Sequence, residues 1–407
     1  MKPASVLRRV LVYALALLVI VTVAPRGQCE DQSSHDFKKL TLTREFLSEG
    51  ANFGDFDGDG TMDMVAGQYW YRGPDFQEKV EYQPGQAYDP KGYAPNFFAF
   101  THDMNGDEWT DIIIIDFPGK ETWWFENPQG KSGHWKRHMG FDVTDNESPW
   151  FTDVTGDGRP ELVCHTKGRL GYAEPNWDQP EQPWTFHPVS GEGSWHKYTH
   201  GFGVGDVNGD GKKDLMMQEG WWEQPDDPQQ TWPYHAADLG NGGAQMYAYD
   251  VDGDGDNDVI TSIEAHGYGL AWFENEPQQD GSIQFKRHLI IGDKSEISPY
   301  GVKFSQLHAV DLVDMNDDGL QDIVTGKRFW AHGPTGDVEP DAPAVLYWFE
   351  LRRTADGVNY VPHRIDDDSG VGTQIVARDI NGDGLPEIAL GNKKGAFVFL
   401  HSARPGE

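Results

Sequence analysis

Cysteine and basic residues are both scarce in this sequence of 407 residues. The only two cysteines are Cys29 and Cys164, which excludes a network of disulfides as the source of stability. The 33 Lys and Arg residues are outnumbered by 66 Asp and Glu residues, so the formal net charge is −33. A chain this acidic lacks the positive field that attracts phosphate groups, which argues against nucleic acid and anionic membrane surfaces as partners.

Long apolar runs are also scarce. The run Val10–Ala24 has 15 residues, fewer than the ~20 that a membrane-spanning helix needs, and basic residues precede it. This pattern predicts a signal peptide over residues 1–29 and export to the periplasm or the extracellular space; a retained anchor is the alternative. Once the signal is removed, we expect Cys164 to be the only thiol and the mature chain, residues 30–407, to be a monomer without a membrane span.

Aromatic residues and glycine, in contrast, are plentiful. The chain has 15 Trp, 15 Tyr, 21 Phe and 48 Gly residues. High charge with few apolar residues is typical of disorder, but this many aromatic residues favour a folded core. The composition predicts an all-β protein with many tight turns.

Seven loops repeat the pattern D-x-[DNT]-x-D-x-x-x-[DE]. They are DFDGDGTMD (55–63), DMNGDEWTD (103–111), DVTGDGRPE (153–161), DVNGDGKKD (206–214), DVDGDGDND (250–258), DMNDDGLQD (314–322) and DINGDGLPE (379–387). Positions 1, 3, 5 and 9 place oxygen side chains around one point, and glycines at positions 4 and 6 allow a tight turn. An oxygen cage of this kind suits Ca²⁺ better than the strictly octahedral Mg²⁺.

The pattern therefore predicts up to seven calcium sites. The predicted ligands are Asp55, Asp57, Asp59, Asp63, Asp103, Asn105, Asp107, Asp111, Asp153, Thr155, Asp157, Glu161, Asp206, Asn208, Asp210, Asp214, Asp250, Asp252, Asp254, Asp258, Asp314, Asn316, Asp318, Asp322, Asp379, Asn381, Asp383 and Glu387. Two loops depart from the glycine pattern, with Glu108 at position 6 and Asp317 at position 4. The alternative is that these loops are solvated turns in which Asp and Asn serve turn geometry alone.

An EF-hand is excluded because no loop has an acid at position 12, where that motif needs a bidentate carboxylate. Short β-branched and aromatic runs flank the loops instead, as in FAFTHD before and TDIIII after the second loop. Such runs on both sides of a turn predict two antiparallel strands.

The spacing of the loops predicts a ring. Their first residues are 44 to 65 positions apart, which fits one four-stranded blade per repeat. The last repeat lacks an outer strand, whereas HDFKKLTLT (35–43) is a strand without a repeat of its own. We therefore predict a seven-bladed β-propeller that is closed by the N-terminal strand completing the last blade.

The segments FGVGDVNGDGKKDLMM (202–217) and IVARDINGDGLPEIALGN (375–392) resemble FG-GAP/VCBS repeats, the β-propeller family that includes the heads of integrin α-subunits. The resemblance covers about residues 35–400. It implies a propeller whose acidic loops bind Ca²⁺, and it does not assign a function.

In a propeller the acidic loops share one face, so a functional site is expected on the other. The segments predicted for that face carry cationic and aromatic residues, which suit an anionic or hydroxyl-rich ligand. We predict that His165, Lys303, Lys327, Arg328, Trp330, His332 and Lys393 bind this ligand. His200, His266 and His308 are candidates for a catalytic base or for metal ligands. The alternatives are that each histidine is a hydrogen-bonded structural residue, and that several of them hold a transition metal.

Two functions follow as hypotheses. The first is an exported calcium-binding module that binds a glycan or an extracytoplasmic protein. The second is a carbohydrate-active enzyme of the polysaccharide lyase or sugar dehydratase type, since some sugar-eliminating enzymes resemble this architecture. In that case a histidine or tyrosine would act as the base.

Overall fold

The computed structural model describes residues 35–292, 295 and 298–404. The predicted signal peptide lies outside the described residues. Every regular element within them is a β-strand, so the all-β prediction is confirmed. Among the same residues, no helix has the length and apolar character needed to cross a membrane.

The strands are short and follow one another closely along the chain. The first twelve are β1 (His35–Thr43), β2 (Ala51–Gly54), β3 (Asp63–Ala66), β4 (Tyr69–Tyr71), β5 (Lys79–Glu81), β6 (Phe98–His102), β7 (Asp111–Ile115), β8 (Lys120–Glu126), β9 (Lys136–Thr152), β10 (Glu161–Thr166), β11 (Arg169–Glu174) and β12 (Thr185–Pro188). The next eight are β13 (Phe202–Gly205), β14 (Asp214–Met217), β15 (Gly220–Trp222), β16 (Tyr234–Ala236), β17 (Gln245–Tyr249), β18 (Asp258–Ser262), β19 (Leu270–Pro277) and β20 (Ile283–Ile291). The last seven are β21 (Val310–Val313), β22 (Asp322–Gly326), β23 (Leu346–Thr354), β24 (Gly357–Asp366), β25 (Val376–Arg378), β26 (Glu387–Asn392) and β27 (Gly395–Ala403).

Neighbouring strands pair into five sheets. Three sheets have four strands each, in the orders β2-β3-β4-β5, β21-β22-β23-β24 and β1-β27-β26-β25. A seven-stranded sheet has the order β12-β11-β10-β9-β8-β7-β6, and an eight-stranded sheet has the order β16-β15-β14-β13-β17-β18-β19-β20. The larger sheets differ from the separate four-stranded units that the repeats predict. The reason is that β9 pairs with β8 in its first half and with β10 in its second half, while β13 pairs in parallel with β17.

The strand at the beginning of the described chain pairs with the strand at its end. His35 to Thr43 of β1 run antiparallel to Ala403 to Ala396 of β27. The prediction that residues 35–43 add a strand to the last repeat is therefore confirmed. Side chains from β2 and β3 also pack against β26 and β27, with Phe53 and Met64 in one buried cluster with Ala389 and Val398.

Five histidines on the fourth strands of these repeats make the same pair of contacts. They are His138, His187, His235, His288 and His363. Each ring packs on an aromatic ring of the preceding strand with centroids 4.2 to 4.9 Å apart. Each Nε2 also lies 2.6 to 2.9 Å from a glutamate oxygen two residues beyond that aromatic. The interpretation of these histidines as a structural repeat feature is confirmed.

Candidate functional site

The acidic loops are tight turns between the first two strands of each repeat. The carboxylate at position 1 organises the turn because its oxygens accept backbone N–H groups. Asp206, for example, accepts from Gly209 and Gly211, both at 2.8 Å. All the glycines at positions 4 and 6 have positive φ, as at Gly209 (74°) and Gly211 (86°), which explains their recurrence. Glu108 and Asp317 adopt the same region at φ 70° and 59°, so these two loops keep the turn without glycine.

The acids at position 9 are buried beneath the turns. Asp214 accepts N–H from Val207 of its own loop at 2.8 Å and from Gln224 at 2.9 Å. Asp63, Asp111, Asp258 and Asp322 make corresponding pairs of backbone contacts. Burial raises the pKa of Asp214 to about 7, against the effect of these hydrogen bonds. Each of these side chains thus ties its loop to a neighbouring strand.

The donor set of the loops fits a hard cation. In the first loop, Asp55, Asp57 and Asp63 each offer an oxygen within 4.8 Å of the others, and Asp153, Asp157 and Glu161 do the same in the third. Carboxylates held this close repel one another unless a cation lies between them. The remaining loops place predicted ligands in the same sequence positions. The predicted calcium ligands thus stay a prediction, with geometry that suits the ion.

The three candidate catalytic histidines come together at the other end of the strands. His200 precedes β13 and His308 precedes β21, each the first strand of its repeat, and His266 follows β18, the second strand of its repeat. All three therefore lie at the strand ends opposite the acidic turns. Each offers a nitrogen within 4.8 Å of the other two. Ring centroids are 4.7 Å apart for His200 and His266, 4.5 Å for His266 and His308, and 5.5 Å for His200 and His308. We call these three residues the histidine cluster.

His165 lies in the core behind Trp195 rather than in the histidine cluster. It is buried in β10, where its Nε2 lies 3.2 Å from the sulfur of Met217 and its ring packs against Phe202 and Trp195. Burial lowers the pKa of His165 to about 3, which keeps the ring neutral at physiological pH. Its surroundings are those of a core residue.

A buried ion network adjoins the histidine cluster. Arg328, which is 2% exposed, lies 3.0 Å from Glu49 and 3.5 Å from Glu147. Glu147 is also 3.3 Å from His200 Nε2. Burial alone would raise the pKa of Glu147, but His200, Arg328 and His266 together lower it to about 2. The guanidinium predicted to bind ligand is therefore engaged with two carboxylates of the protein.

Two of the three lysines predicted to bind ligand are also buried. Lys327 donates to the Ser305 hydroxyl at 3.2 Å, and Lys393 donates to the carbonyl oxygens of Trp330 and Ala331 at 2.8 and 3.2 Å. Burial lowers the pKa of both amines to about 8. Their hydrogen bonds hold the long connection between β22 and β23 in place.

The other predicted ligand-binding residues lie around the same end of the strands. Trp330 is half-buried and donates from Nε1 to Asp341 at 3.0 Å. His332 is exposed and bonds Asp337 at 2.7 Å, and its ring lies 4.3 Å from that of His266. Lys303 is exposed and lies 5.6 Å from the centre of the Tyr268 ring. Of these residues, His332 is the one in direct contact with the histidine cluster.

A cleft of about 400 Å³ opens beside the histidine cluster. Its lining includes Trp195, Tyr198, Gln218, Glu219, Asn241, Glu264, His200 and His266. Trp195 is held by a hydrogen bond from its Nε1 to Glu219 at 2.6 Å, and Tyr198 is 42% exposed. The cleft thus combines aromatic rings with carboxylate and amide groups, and its volume is typical of small-molecule sites.

Five acids of this region were not predicted from the sequence. They are Glu49, Glu147, Glu219, Glu264 and Asp337. Glu147 lies in NESPW (146–150) of β9 and Glu264 in IEAHGYG (263–269) after β18, both on the side away from the acidic turns. In a chain with 66 acidic residues, position alone does not distinguish these five from solvated surface acids.

Comparison with known families identifies one repeat. Residues 103–164, which include the second and third acidic loops, match the model of the FG-GAP-like repeat, and this confirms the predicted resemblance. No curated protein matches the sequence significantly.

Solved structures with a similar arrangement of strands have low sequence identity. An Agrocybe aegerita lectin that recognises non-reducing terminal N-acetylglucosamine is 16% identical, with a TM-score of 0.44, 76% of this chain covered and 85% of the lectin. Rhamnogalacturonan lyase YesW is 13% identical, with a TM-score of 0.44 and coverage of 91% and 73%. The exotype rhamnogalacturonan lyase YesX is 13% identical, with a TM-score of 0.43 and coverage of 90% and 76%.

Proposed function

From the FG-GAP-like repeat in residues 103–164, we propose that this chain is an exported, calcium-binding β-propeller that binds carbohydrate in the cleft beside the histidine cluster. Seven blades follow if the seven-stranded sheet and the eight-stranded sheet are each two blades joined edge to edge. The pairing of β1 with β27 supports a closed ring, because the chain leads from β1 in the last repeat directly to β2 in the first, and the two repeats also share a buried cluster. Calcium in the acidic loops would brace the turns opposite the cleft.

The composition of the cleft carries the carbohydrate proposal. Trp195 and Tyr198 offer flat apolar faces, while Glu219, Glu264 and Asn241 offer oxygen and amide groups for hydroxyls. Hydroxyl-rich sugars need both kinds of contact. The cations Arg328, Lys327 and Lys393 are engaged with protein groups, and acids line the cleft. A neutral, hydroxyl-rich glycan therefore fits better than an anionic one.

A panel of neutral and acidic oligosaccharides, measured by titration calorimetry, tests this proposal. We expect neutral sugars to bind, and Tyr198→Ala to weaken binding about tenfold, because truncating a central contact typically costs more than 1 kcal/mol. Tyr300→Ala is the matched control, since Tyr300 is similarly exposed (47%) and does not line the cleft. Absence of binding to every sugar, or equal effects of the two variants, would contradict the proposal.

A second candidate function, sugar elimination, is favoured by the convergence of three imidazoles, two of which, His200 and His266, line the cleft. A neutral imidazole can remove the proton from a carbon beside a carbonyl or carboxylate group. The imidazole takes up that proton, and the electron pair of the C–H bond forms a double bond to the next carbon. The oxygen substituent on that next carbon leaves with the C–O bonding pair and is protonated by the imidazolium or by solvent.

The unsaturated product gives this candidate a direct measurement. Incubation with keto-sugars or acidic polysaccharides should raise the ultraviolet absorbance if elimination occurs, and His266→Ala should abolish the increase. If absorbance stays constant while the sugar panel shows binding, the protein is a binding module and the elimination hypothesis is wrong.

A further inference from the structure

The histidine cluster has the arrangement of a metal centre that faces away from the acidic loops. Three loops, before β13, after β18 and before β21, each supply one imidazole. Their nearest nitrogens lie within 4.8 Å of one another. Nitrogens that share one ion at bonding distances near 2.0 to 2.1 Å are at most about 4.2 Å apart, so binding of one ion would draw the three rings slightly closer together.

The second nitrogen of each ring is directed at an oxygen acceptor. His200 Nδ1 lies 2.8 Å from the carbonyl oxygen of Tyr198, and His308 Nδ1 lies 3.3 Å from that of Gln306. His266 Nδ1 lies 3.3 Å from the Asp337 carboxylate, although the two are not aligned as a hydrogen bond. Carbonyl oxygens accept hydrogen bonds, so Nδ1 carries the hydrogen in His200 and His308, and their Nε2 atoms keep a lone pair. The carboxylate beside Nδ1 of His266 favours the same tautomer there.

This pattern is the one found around metal-binding histidines. Such residues usually donate their remaining N–H group to a carboxylate or a backbone carbonyl, which fixes the tautomer and aims the other nitrogen at the ion. Here Asp337 takes the carboxylate role for His266, and Asp337 is itself held by the backbone N–H and ring of His332 at 2.6 and 2.7 Å.

Burial gives an independent indication that a ligand belongs between the rings. His308 is 2% exposed, and within the described part of the chain its Nε2 has no hydrogen-bond partner. The Nε2 of His200 also lacks an aligned partner among those residues, although a Glu147 oxygen is 3.3 Å away. Buried polar atoms are normally paired, so an unpaired imidazole nitrogen aimed at two others calls for a partner.

We infer that His200, His266 and His308 bind one divalent first-row transition-metal ion, such as Zn²⁺, through their Nε2 atoms. Imidazole nitrogens suit Zn²⁺ and its neighbours in that row, whereas Ca²⁺ prefers the all-oxygen donors of the acidic loops. Three protein ligands leave a coordination position for water or a substrate oxygen. Because His200 and His266 also line the cleft, the ion would stand at its edge.

Cobalt titration tests the site without any sugar. Purified full-length protein is first saturated with Ca²⁺ so that the acidic loops are occupied, and Co²⁺ is then added while its visible absorption is recorded. We expect one equivalent to bind with a d–d spectrum of nitrogen ligation, and stoichiometric Zn²⁺ to displace it. Absence of that spectrum, or binding of several weak equivalents with none saturating first, overturns the inference.

Variants separate the cluster from other histidines. His266→Ala and His308→Gln should each abolish the one-equivalent cobalt spectrum, while His235→Ala should leave it intact, because His235 packs on Trp221 and contacts Glu223 instead. His308 is buried, so circular dichroism checks its fold; His266 is half-buried and tolerates truncation more readily. Retention of the spectrum in folded His266→Ala protein would contradict the assignment.

The positioning role of Asp337 has its own readout. Asp337→Asn leaves all three imidazoles in place but removes the carboxylate that orients His266, so we expect roughly 10- to 100-fold weaker cobalt binding. An unchanged affinity for cobalt would show that Asp337 only holds its loop through His332 and does not orient His266. This inference extends the proposed function, but it is tested separately. Cobalt binding without sugar binding would contradict only the carbohydrate proposal, and sugar binding without cobalt binding would contradict only the metal site.

Discussion

Removal of Ca²⁺ is expected to lower the melting temperature of this protein by on the order of 10 °C or more. A ligand bound only by the folded state adds about 2.7 kcal/mol per site at 100 times its Kd. With an unfolding entropy of ~2.1 cal/mol/K per residue, each emptied site lowers the melting temperature by roughly 3 °C in a folded region of this size. The physical reason lies in the acidic loops, where clustered carboxylates would repel one another without a bound cation.

Thermal unfolding with Ca²⁺, with chelator, and with Ca²⁺ or Mg²⁺ added back measures this effect. Ca²⁺ should restore the melting temperature, and Mg²⁺ should restore less of it. Asp206→Ala should lower the melting temperature more in Ca²⁺ than in chelator. In Ca²⁺ the variant loses both a calcium ligand and the hydrogen bonds of the turn, whereas in chelator it loses only the hydrogen bonds. Asp356→Ala, at an exposed turn between β23 and β24, is the control. Melting curves indifferent to chelator would mean that the loops are solvated turns.

Replacement of Arg328 by Met is expected to cost about 3–5 kcal/mol of unfolding free energy. Arg328 is buried between Glu49, which is 0% exposed, and Glu147. Methionine fills most of the volume but leaves two carboxylates without their cation. The cost is therefore that of uncompensated buried charge rather than of lost packing.

Urea unfolding in the presence of Ca²⁺ measures the loss, and Arg352→Met provides the matched control. Arg352 makes two hydrogen bonds of 2.7 Å to Glu350, yet its side chain is 52% exposed, so we expect its replacement to cost less than about 1 kcal/mol. Adding Glu49→Gln to Arg328→Met should recover part of the stability, since one unpaired charge is removed. Equal losses for the two arginine variants would show that the buried network contributes nothing beyond an exposed pair.

Much of the fold was predictable because local patterns specify it. Alternating and β-branched runs on both sides of each acidic loop predict a hairpin, and strands occur at these places on both sides of all seven loops. The histidines of the fourth strands recur at one position, and their shared contacts with an aromatic ring and a glutamate follow from that register. The joining of repeats into larger sheets was not predictable from the sequence. It depends on β9 being long enough to pair with both β8 and β10, and on the parallel pairing of β13 with β17.

The candidate site was predictable as a set of loops but not as a set of contacts. The sequence places His200, His266 and His308 in loops at one end of the strands because the acidic turns mark the other end. Only the tertiary structure brings their nitrogens within 4.8 Å of one another, sends His165 into the core and turns Lys327 and Lys393 inward. Strand periodicity is encoded by neighbours two residues apart, whereas these contacts join residues more than 20 positions apart, whose distances depend on how whole sheets pack. The sequence by itself determined the strands, the acidic turns and the end of the molecule where the histidines lie. The packing of the sheets decided which side chains converge there, because loop side chains point wherever their own hydrogen bonds and buried ion pairs hold them.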